Sequence, residues 1–169
     1  MTLKDVPPGD YLVQWGSLMV EIPGTNGSFP AYIESMRAGG QDILQNGLHV
    51  DASFDQPIRI TIRNNFGSIS GRVTGCAFSF PGTNVVLVPD FRNDLARFKM
   101  NAADSTGEFR FKDVAPGDYK IYVRRSSDFT DVEDPDFQAA HEASSRAIKV
   151  QAGGETTVDV PFVIGDPKP

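Results

Sequence analysis

The chain contains few of the residue types that perform catalysis or bind metals. Its 169 residues include one cysteine, Cys76, and two histidines, His49 and His141. A single cysteine excludes an internal disulfide framework, and neither histidine lies in H-E-x-x-H or another zinc-ligand spacing. Residues 67–71 read G-S-I-S-G, which places no serine at the centre of a G-x-S-x-G nucleophile motif. We therefore expect no enzymatic activity and no cofactor.

The few reactive residues have structural interpretations. No basic residue adjoins Cys76 to activate its thiol, so a small buried thiol is favoured over a nucleophile. His141 lies in residues 134–144, the one segment that resembles a helix, with Asp134 as its cap and Pro135 at its first position. A solvated helix face is therefore favoured over a histidine site.

The sequence also lacks an excess of positive charge. It has 16 Lys and Arg residues against 22 Asp and Glu residues, a net charge of -6, and its basic residues are scattered. This balance argues against nucleic acid or an anionic membrane as the main partner. No apolar run is long enough to span a bilayer, and the first ten residues lack the apolar segment of a secretory signal. We expect no nucleic-acid partner, no membrane insertion and no signal peptide in this chain.

What the sequence does contain is a period of two in its apolar residues. Residues 57–63 read P-I-R-I-T-I-R, which predicts a half-buried strand with Ile58, Ile60 and Ile62 facing inward. The same alternation predicts two rows in the strand near residue 120: Tyr119, Ile121 and Val123 inward, and Lys120, Tyr122 and Arg124 outward. Further strands are predicted at residues 69–73, 85–88, 96–100, 109–111, 148–150 and 158–164. This pattern favours an all-β fold, an antiparallel Greek-key β-sandwich of the Ig-like type.

An eight-residue segment occurs twice. Residues 4–11 read K-D-V-P-P-G-D-Y, and residues 112–119 read K-D-V-A-P-G-D-Y. Both copies end in Pro-Gly-Asp-Tyr, at Pro8, Gly9 and Tyr11 in the first and at Pro116, Gly117 and Tyr119 in the second. The Pro-Gly pairs predict type II turns in which glycine takes the positive φ. Each tyrosine is predicted to anchor a sheet corner, with its ring buried and its hydroxyl bonded to nearby backbone; the alternative is a binding role for the aspartates.

The repeat predicts tandem modules. A full set of strands surrounds the second copy, whereas the first copy is followed only by later-strand material. We therefore expect residues 1–65 to be the C-terminal part of a preceding β-sandwich repeat, residues 66–165 to be a complete sandwich, and residues 166–169 to be a tail. The inward isoleucines of the partial module would need a cover. The cover is expected either within the chain, by folding back on the second sandwich or by a small sheet with residues 32–36, or through the pairing of two chains. We favour the intramolecular cover, with a modest tendency to form a weak homodimer.

The motifs around the second copy resemble those of a known family. The segments G-S-I-S-G-R-V, V-V-L-V-P and D-S-T-G-E-F-R-F-K-D-V-A-P-G-D-Y are similar to the carboxypeptidase regulatory-like domain, a prealbumin-like sandwich grouped with starch-binding-like and Cna-B-like modules. The matching positions are Asp104, Gly107, Phe109, Pro116, Gly117 and Tyr119, with Pro8, Gly9 and Tyr11 in the partial copy. The resemblance implies a non-catalytic accessory module of a larger bacterial protein, secreted or associated with the cell envelope. Its implied partners are neighbouring domains of the same polypeptide and a protein or glycan ligand.

An acidic stretch is the main candidate for a metal site. Calcium prefers several oxygen ligands, and residues 128–136 offer five carboxylates: Asp128, Asp131, Glu133, Asp134 and Asp136. The stretch lacks the central glycine of a twelve-residue calcium loop. A solvated loop with a helix cap is therefore favoured over a calcium site.

Carbohydrate binding is the second function that the residues leave open. It requires an exposed aromatic platform with hydrogen-bonding neighbours, and the candidates are Tyr122 beside Arg124, with Phe129 and Phe137 in the segment that follows. The competing interpretation is that these aromatic side chains fill one end of the sandwich. A carbohydrate-binding module of the starch-binding-like kind is thus the alternative to an interaction module.

Overall fold

The computed structural model describes residues 5–13, 15–75, 83–90, 95–124, 142 and 145–162. The chain divides into two compact units, Met1–Asn64 and Asn65–Pro169. Strands dominate both units, and eight of the ten strand pairings in the described residues are antiparallel. The all-β antiparallel fold class expected from the sequence is confirmed. Within the described residues, no helix is long and apolar enough to cross a membrane.

The first unit is built around one long strand. Its elements are β1 (Gly9–Tyr11), β2 (Leu18–Glu21), β3 (Ser28–Ala38), β4 (Gln41–Asp42), α1 (Ile43–Asn46), β5 (Leu48–Val50) and β6 (Ile58–Arg63). The central strand β3 pairs with β2 along its first half, with β6 along its second half, and with β4 at its end. Strands β1 and β5 form a separate antiparallel pair.

A single helical turn supplies part of the first unit's core. The Asp42 carboxylate caps α1 by accepting hydrogen bonds from the backbone N–H groups of Leu44 (3.0 Å) and Gln45 (3.3 Å). Ile43 and Leu44 are buried, and α1 packs against β3, whose Met36 is also buried. The helix has four residues, so it extends about 6 Å along its axis. That length covers little more than one strand.

The isoleucine row of β6 is half exposed, which corrects the sequence expectation. Ile58, Ile60 and Ile62 are 36%, 47% and 44% exposed, whereas Met36, which lies opposite Ile60 on β3, is 2% exposed. Opposite residues of an antiparallel pair share one face of the sheet. The apolar face is therefore covered over β3 and left partly open over β6, which pairs only with β3 in the described part of the chain.

The second unit is a two-sheet sandwich. Its elements are β7 (Gly67–Thr74), β8 (Asn84–Pro89), a 3-10 turn (Leu95–Arg97), β9 (Lys99–Ala102), β10 (Glu108–Val114), β11 (Gly117–Arg124), β12 (Arg146–Val150), β13 (Glu155–Thr157) and β14 (Val160–Pro161). One sheet has the order β10-β7-β13, with β14 also on β7, and the other has the order β12-β11-β8-β9. Residues of both sheets form one core, including Ile69, Phe109 and Val160 from the first and Leu87 and Ile121 from the second.

The last strands of the second unit run parallel to its first strand. Both β13 and β14 pair with β7 in parallel, at residues 68–70 and 73–74 respectively. Between the two short strands, the backbone of Val158 approaches β7 closely: its N–H donates to the Ser70 carbonyl at 3.0 Å. A Cβ atom on Gly71 would lie 1.8 Å from the Val158 carbonyl oxygen, so only glycine fits there.

Three strand predictions for the second unit were partly wrong. Of the strand expected at residues 158–164, only Val160 and Pro161 lie in a strand among the described residues. The strand expected at residues 96–100 begins only at Lys99, because residues 95–97 form a 3-10 turn in which the Arg97 guanidinium donates to the Pro116 carbonyl (2.8 Å). Tyr122 and Arg124, expected on the outer face, are 1% and 5% exposed. Tyr122 is buried because it joins a second apolar cluster with Val86, Val88 and Phe98. Residues 134–144, predicted as a helix, are described only at residue 142.

Candidate functional site

The predicted ligand residues do not assemble into a site within the described residues. The five acidic positions, Asp128, Asp131, Glu133, Asp134 and Asp136, lie outside the described part of the chain, as do Phe129 and Phe137. The calcium site therefore stays a prediction. In the described ranges, no three His, Cys, Asp or Glu side chains are grouped as metal ligands would be.

The aromatic platform for a sugar is not formed by Tyr122. Its side chain is buried against β8, so it has no face available for a sugar ring. The large apolar side chains that are exposed in the described residues are all aliphatic or methionine. The part of the chain that is described thus offers no exposed aromatic platform.

The repeated segment forms the same tyrosine anchor in both units. The Tyr119 hydroxyl donates a hydrogen bond to the Ala115 carbonyl at 2.6 Å, and the Tyr11 hydroxyl donates to the Pro7 carbonyl at 2.7 Å. Each acceptor lies four residues upstream of its tyrosine, which is the geometry of a tyrosine corner. Tyr119 is 2% exposed, whereas Tyr11 is only half buried. The anchor that the sequence predicts is present in both copies, and it is better shielded from water in the second.

The strands that contain the two anchor tyrosines pair with their neighbours in the same register. In the first unit, β1 pairs with β5 through Gly9 and Val50, Asp10 and His49, and Tyr11 and Leu48. In the second unit, β11 pairs with β12 through the equivalent residues: Gly117 and Val150, Asp118 and Lys149, and Tyr119 and Ile148. The aspartate of each copy meets a basic side chain on the opposite strand. Asp10 lies 2.6 Å from His49 Nδ1, and Asp118 lies 3.4 Å from the Lys149 ammonium. Each aspartate therefore makes a solvent-exposed contact between neighbouring strands.

The left-handed residue of the repeat is an aspartate, which corrects the type II turn prediction. Asp5 has φ 57° and Asp113 has φ 53°, at equivalent positions of the two copies. Gly117 has φ 156°, and Gly9 is not among the residues with positive φ, so both begin strands. Aspartate is one of the few non-glycine residues that adopt this conformation. The identical Lys-Asp pair at the start of both copies was the available signal.

A shallow groove with both polar and apolar residues in its lining runs along β7 and β10 of the second unit. Its volume is about 550 Å³, and its lining includes Arg72, Asp104, Glu108 and Arg110. Arg72 pairs with Glu108 at 2.7 Å, and Arg110 pairs with Glu155 at 3.3 Å. The four side chains of these two ion pairs are each more than half exposed. The groove is a solvated ion-paired surface, where such pairs contribute little to stability.

Asp104 in this groove has a structural role. Its carboxylate accepts hydrogen bonds from the Thr106 N–H and hydroxyl (both 2.8 Å) and from the Glu108 N–H (2.9 Å). These bonds, the Thr106 hydroxyl first, lower the pKa of Asp104. Gly107 follows with φ 83° and completes the turn into β10. The D-x-x-G motif thus builds a hairpin corner, and Phe109 beyond it is core.

The His49–Asp10 pair is the one titratable contact between β1 and β5 in the described residues. The hydrogen bond that His49 Nδ1 donates to the Asp10 carboxylate raises the pKa of His49 above its ordinary value, and the charge of Asp10 adds to the effect. Both side chains are exposed, so the pair is solvated and has no neighbouring nucleophile in the described residues. Its chemistry is that of a pH-dependent strand contact.

No protein-family model matches the chain, and no curated protein matches it in sequence. The solved structures to which the chain is similar include two pilin subunits. The minor pilin GBS52 of the gram-positive pathogen Streptococcus agalactiae is 15% identical, with a TM-score of 0.39 over 84% of this chain and 61% of the pilin. The major pilin subunit BcpA of Bacillus cereus is 12% identical, with a TM-score of 0.36 over 63% of this chain and 34% of the pilin. The chain therefore spans less than two thirds of the length of either pilin.

Proposed function

We propose that the chain is a non-catalytic β-sandwich module that resists tension within a larger exported bacterial protein. The observation that carries the proposal is the parallel pairing of the first strand of the second unit, β7, with its last strands, β13 and β14. The exported setting follows from the resemblance to the carboxypeptidase regulatory-like domain. Neighbouring domains of the same polypeptide are the expected partners.

Parallel terminal strands decide how a module responds to a pull on its ends. Tension enters the second unit at the start of β7 and leaves it at the end of β14. Because the strands are parallel, these points lie at opposite ends of the pair, and the strands must slide along each other to separate. Hydrogen bonds spaced along the strands then carry the load together: Ser68 N–H to Gly154 O (2.9 Å), Val158 N–H to Ser70 O (3.0 Å) and Phe162 N–H to Thr74 O (2.7 Å).

The core adds to this resistance. Val160 on β14 is fully buried, and it packs in one cluster with Ile69 and Val73 of β7, which are 0% and 1% exposed. Sliding β14 along β7 pulls Val160 from the core into water, at about 1.5–3 kcal/mol for a fully buried valine. Hydrogen bonds and apolar burial thus fail at the same displacement, which favours a single rupture at high force.

Single-molecule pulling tests the proposal. Cysteine handles at Asn64 and Val163, with Cys76 replaced by serine, load the strands in the sliding direction. Handles at Thr74 and Val163 instead peel β14 from β7 one bond at a time, with the same bonds present. We expect the sliding geometry to rupture at a force several times that of the peeling geometry. Release of the 95 residues from Gly67 to Pro161 should lengthen the chain by roughly 300 Å.

Equal rupture forces in the two geometries would refute the tension-resisting role. A panel of peptide and glycoside substrates tests the non-catalytic part separately. Turnover that disappears when one carboxylate, histidine or cysteine is replaced would overturn it.

A further inference from the structure

Strand β6 leaves one side of its backbone open. In the described part of the chain it pairs only with β3, so every second residue directs its N–H and C=O groups away from the sheet. An open edge of this kind is a template for an additional strand. Most edges are protected by charges that point inward or by proline, and the six residues of β6 contain neither device on their apolar face.

The apolar face of this edge is continuous with the core of the first unit. Ile58, Ile60 and Ile62 are 36–47% exposed, next to buried Ala38 and Met36 on β3. A strand added beside β6 would place every second side chain on this face. Apolar residues at those positions would cover the isoleucines.

The opposite face of the same edge is positively charged. Arg59 lies directly across from Arg37 on β3, and like charges in that position repel each other. Both are exposed, and among the described residues neither has a carboxylate at ion-pair distance. Arg63, in contrast, donates to Glu34 at 3.0 Å. An acidic side chain on the added strand would lie beside Arg59 and relieve this repulsion.

We infer that β6 binds an extended peptide segment in which apolar residues alternate with Asp or Glu. The apolar residues cover the isoleucine row, and the acidic residues pair with Arg59 and Arg37 on the other face. The inference rests on the proposed function, because it names a partner for a module that connects polypeptide segments. It assigns that contact to the first unit, whereas the strands proposed to resist tension belong to the second unit.

The charges argue against a second copy of the chain as the occupant. Antiparallel registers that match the apolar faces place isoleucines of the two copies opposite each other, for example Ile60 opposite Ile60. On the other face, β3 and β6 of each copy would then contribute Arg37, Arg59 and Arg63 against a single glutamate, Glu34. That excess of positive charge opposes self-pairing.

Peptide titration of the full chain tests the inference. The probe is a capped seven-residue peptide, Thr-Val-Glu-Val-Glu-Val-Thr, compared with the same peptide carrying lysine in place of glutamate. We expect the glutamate peptide to bind at least about tenfold more tightly, with amide shifts confined to residues 58–63 and their neighbours on β3. Arg59→Glu should reverse the preference between the peptides, and Ile60→Lys should weaken both by about tenfold or more.

Matched variants control for general effects of the substitutions. Met19→Lys places the same new charge on another outer strand of the first unit, β2, where Met19 is 54% exposed. Arg146→Glu reverses an exposed arginine on β12. Both should leave the affinity for the glutamate peptide within about twofold of the unmodified chain.

Three results would overturn the inference. These are absence of binding to the glutamate peptide, equal affinity for the two peptides regardless of Arg59→Glu, and a concentration-dependent dimer that Ile60→Lys abolishes. The last result would identify a second copy as the occupant. None of them alters the rupture forces of the second unit, so failure of this inference is distinguishable from failure of the proposed function.

Discussion

Replacing Gly71 with alanine should destabilise the second unit through the close approach of Val158. The new Cβ would lie 1.8 Å from the Val158 carbonyl oxygen and 2.8 Å from the ring of Phe109. The connection between β13 and β14 must then retreat by roughly 1 Å or more to restore a normal contact distance. That movement breaks the bond from the Val158 N–H to the Ser70 carbonyl, which contributes about 1 kcal/mol.

The free energy of unfolding should fall by about 2–3 kcal/mol. Overpacking of this kind costs about 1–3 kcal/mol in addition to the lost hydrogen bond, and the lower backbone entropy of alanine in the unfolded chain offsets about 0.4–1 kcal/mol. For a unit of this size the melting temperature should drop by about 8–15 °C. Differential scanning calorimetry measures the change.

Gly16→Ala is the matched control for this substitution. No atom lies within 4 Å of its Cβ position, and its φ is not left-handed. Its melting temperature should therefore stay within about 2 °C of the unmodified chain. A melting temperature for Gly71→Ala that is equally unchanged would refute the argument that β13 and β14 press on β7.

Three further predictions follow from the repeated segment. Tyr119→Phe should lower the free energy of unfolding by about 1–3 kcal/mol, because it leaves a buried carbonyl without its hydrogen-bond donor. Tyr11→Phe removes an exposed hydrogen bond and should cost only about 0.5–1 kcal/mol. Equal losses for the two variants in denaturant melts would contradict the difference in burial. Asp113→Gly should stabilise the second unit by roughly 0.5–1 kcal/mol, because glycine adopts φ 53° without strain. A lower free energy of unfolding in the same melts would show that the contacts of the aspartate side chain outweigh the strain of its backbone. In an NMR titration, the pKa of His49 should lie above its ordinary value, and this pKa should be lower in the Asp10→Asn variant. The pKa of His49 is higher in the folded state than in the unfolded state. The contact therefore stabilises the β1–β5 pair fully below the unfolded-state pKa, and this stabilisation is lost as pH rises through the folded-state pKa. Protection of the β1 and β5 amides from hydrogen exchange should accordingly decrease with rising pH.

Much of the second unit could be predicted from local pattern. Its inward rows alternate with polar residues at a period of two, and the turns between them carry glycine or proline, so strands such as β7, β10 and β12 are found where the sequence predicts them. The tyrosine anchors were also predictable, because a tyrosine after a Pro-Gly corner has backbone acceptors within reach of its hydroxyl.

The candidate sites were less predictable than the strands. Alternation with a period of two shows which side chains share a face. It does not show whether another layer covers that face. Tyr122 was assigned to an exposed face by alternation, but residues from β8 and Phe98 bury it. The isoleucines of β6 were assigned to a buried face, but β6 is an outer strand and remains partly open.

The sequence by itself determined that this protein is built of short antiparallel strands and that two of its corners are built alike. Both properties are local, since they depend on alternation within a strand and on the chemistry of eight consecutive residues. Only the tertiary structure decided that β13 and β14 run parallel to β7 and that β6 ends its sheet. Strand order and direction depend on contacts between residues far apart in the chain, such as Gly71 with Val158, and the pattern of a single strand does not encode its neighbour.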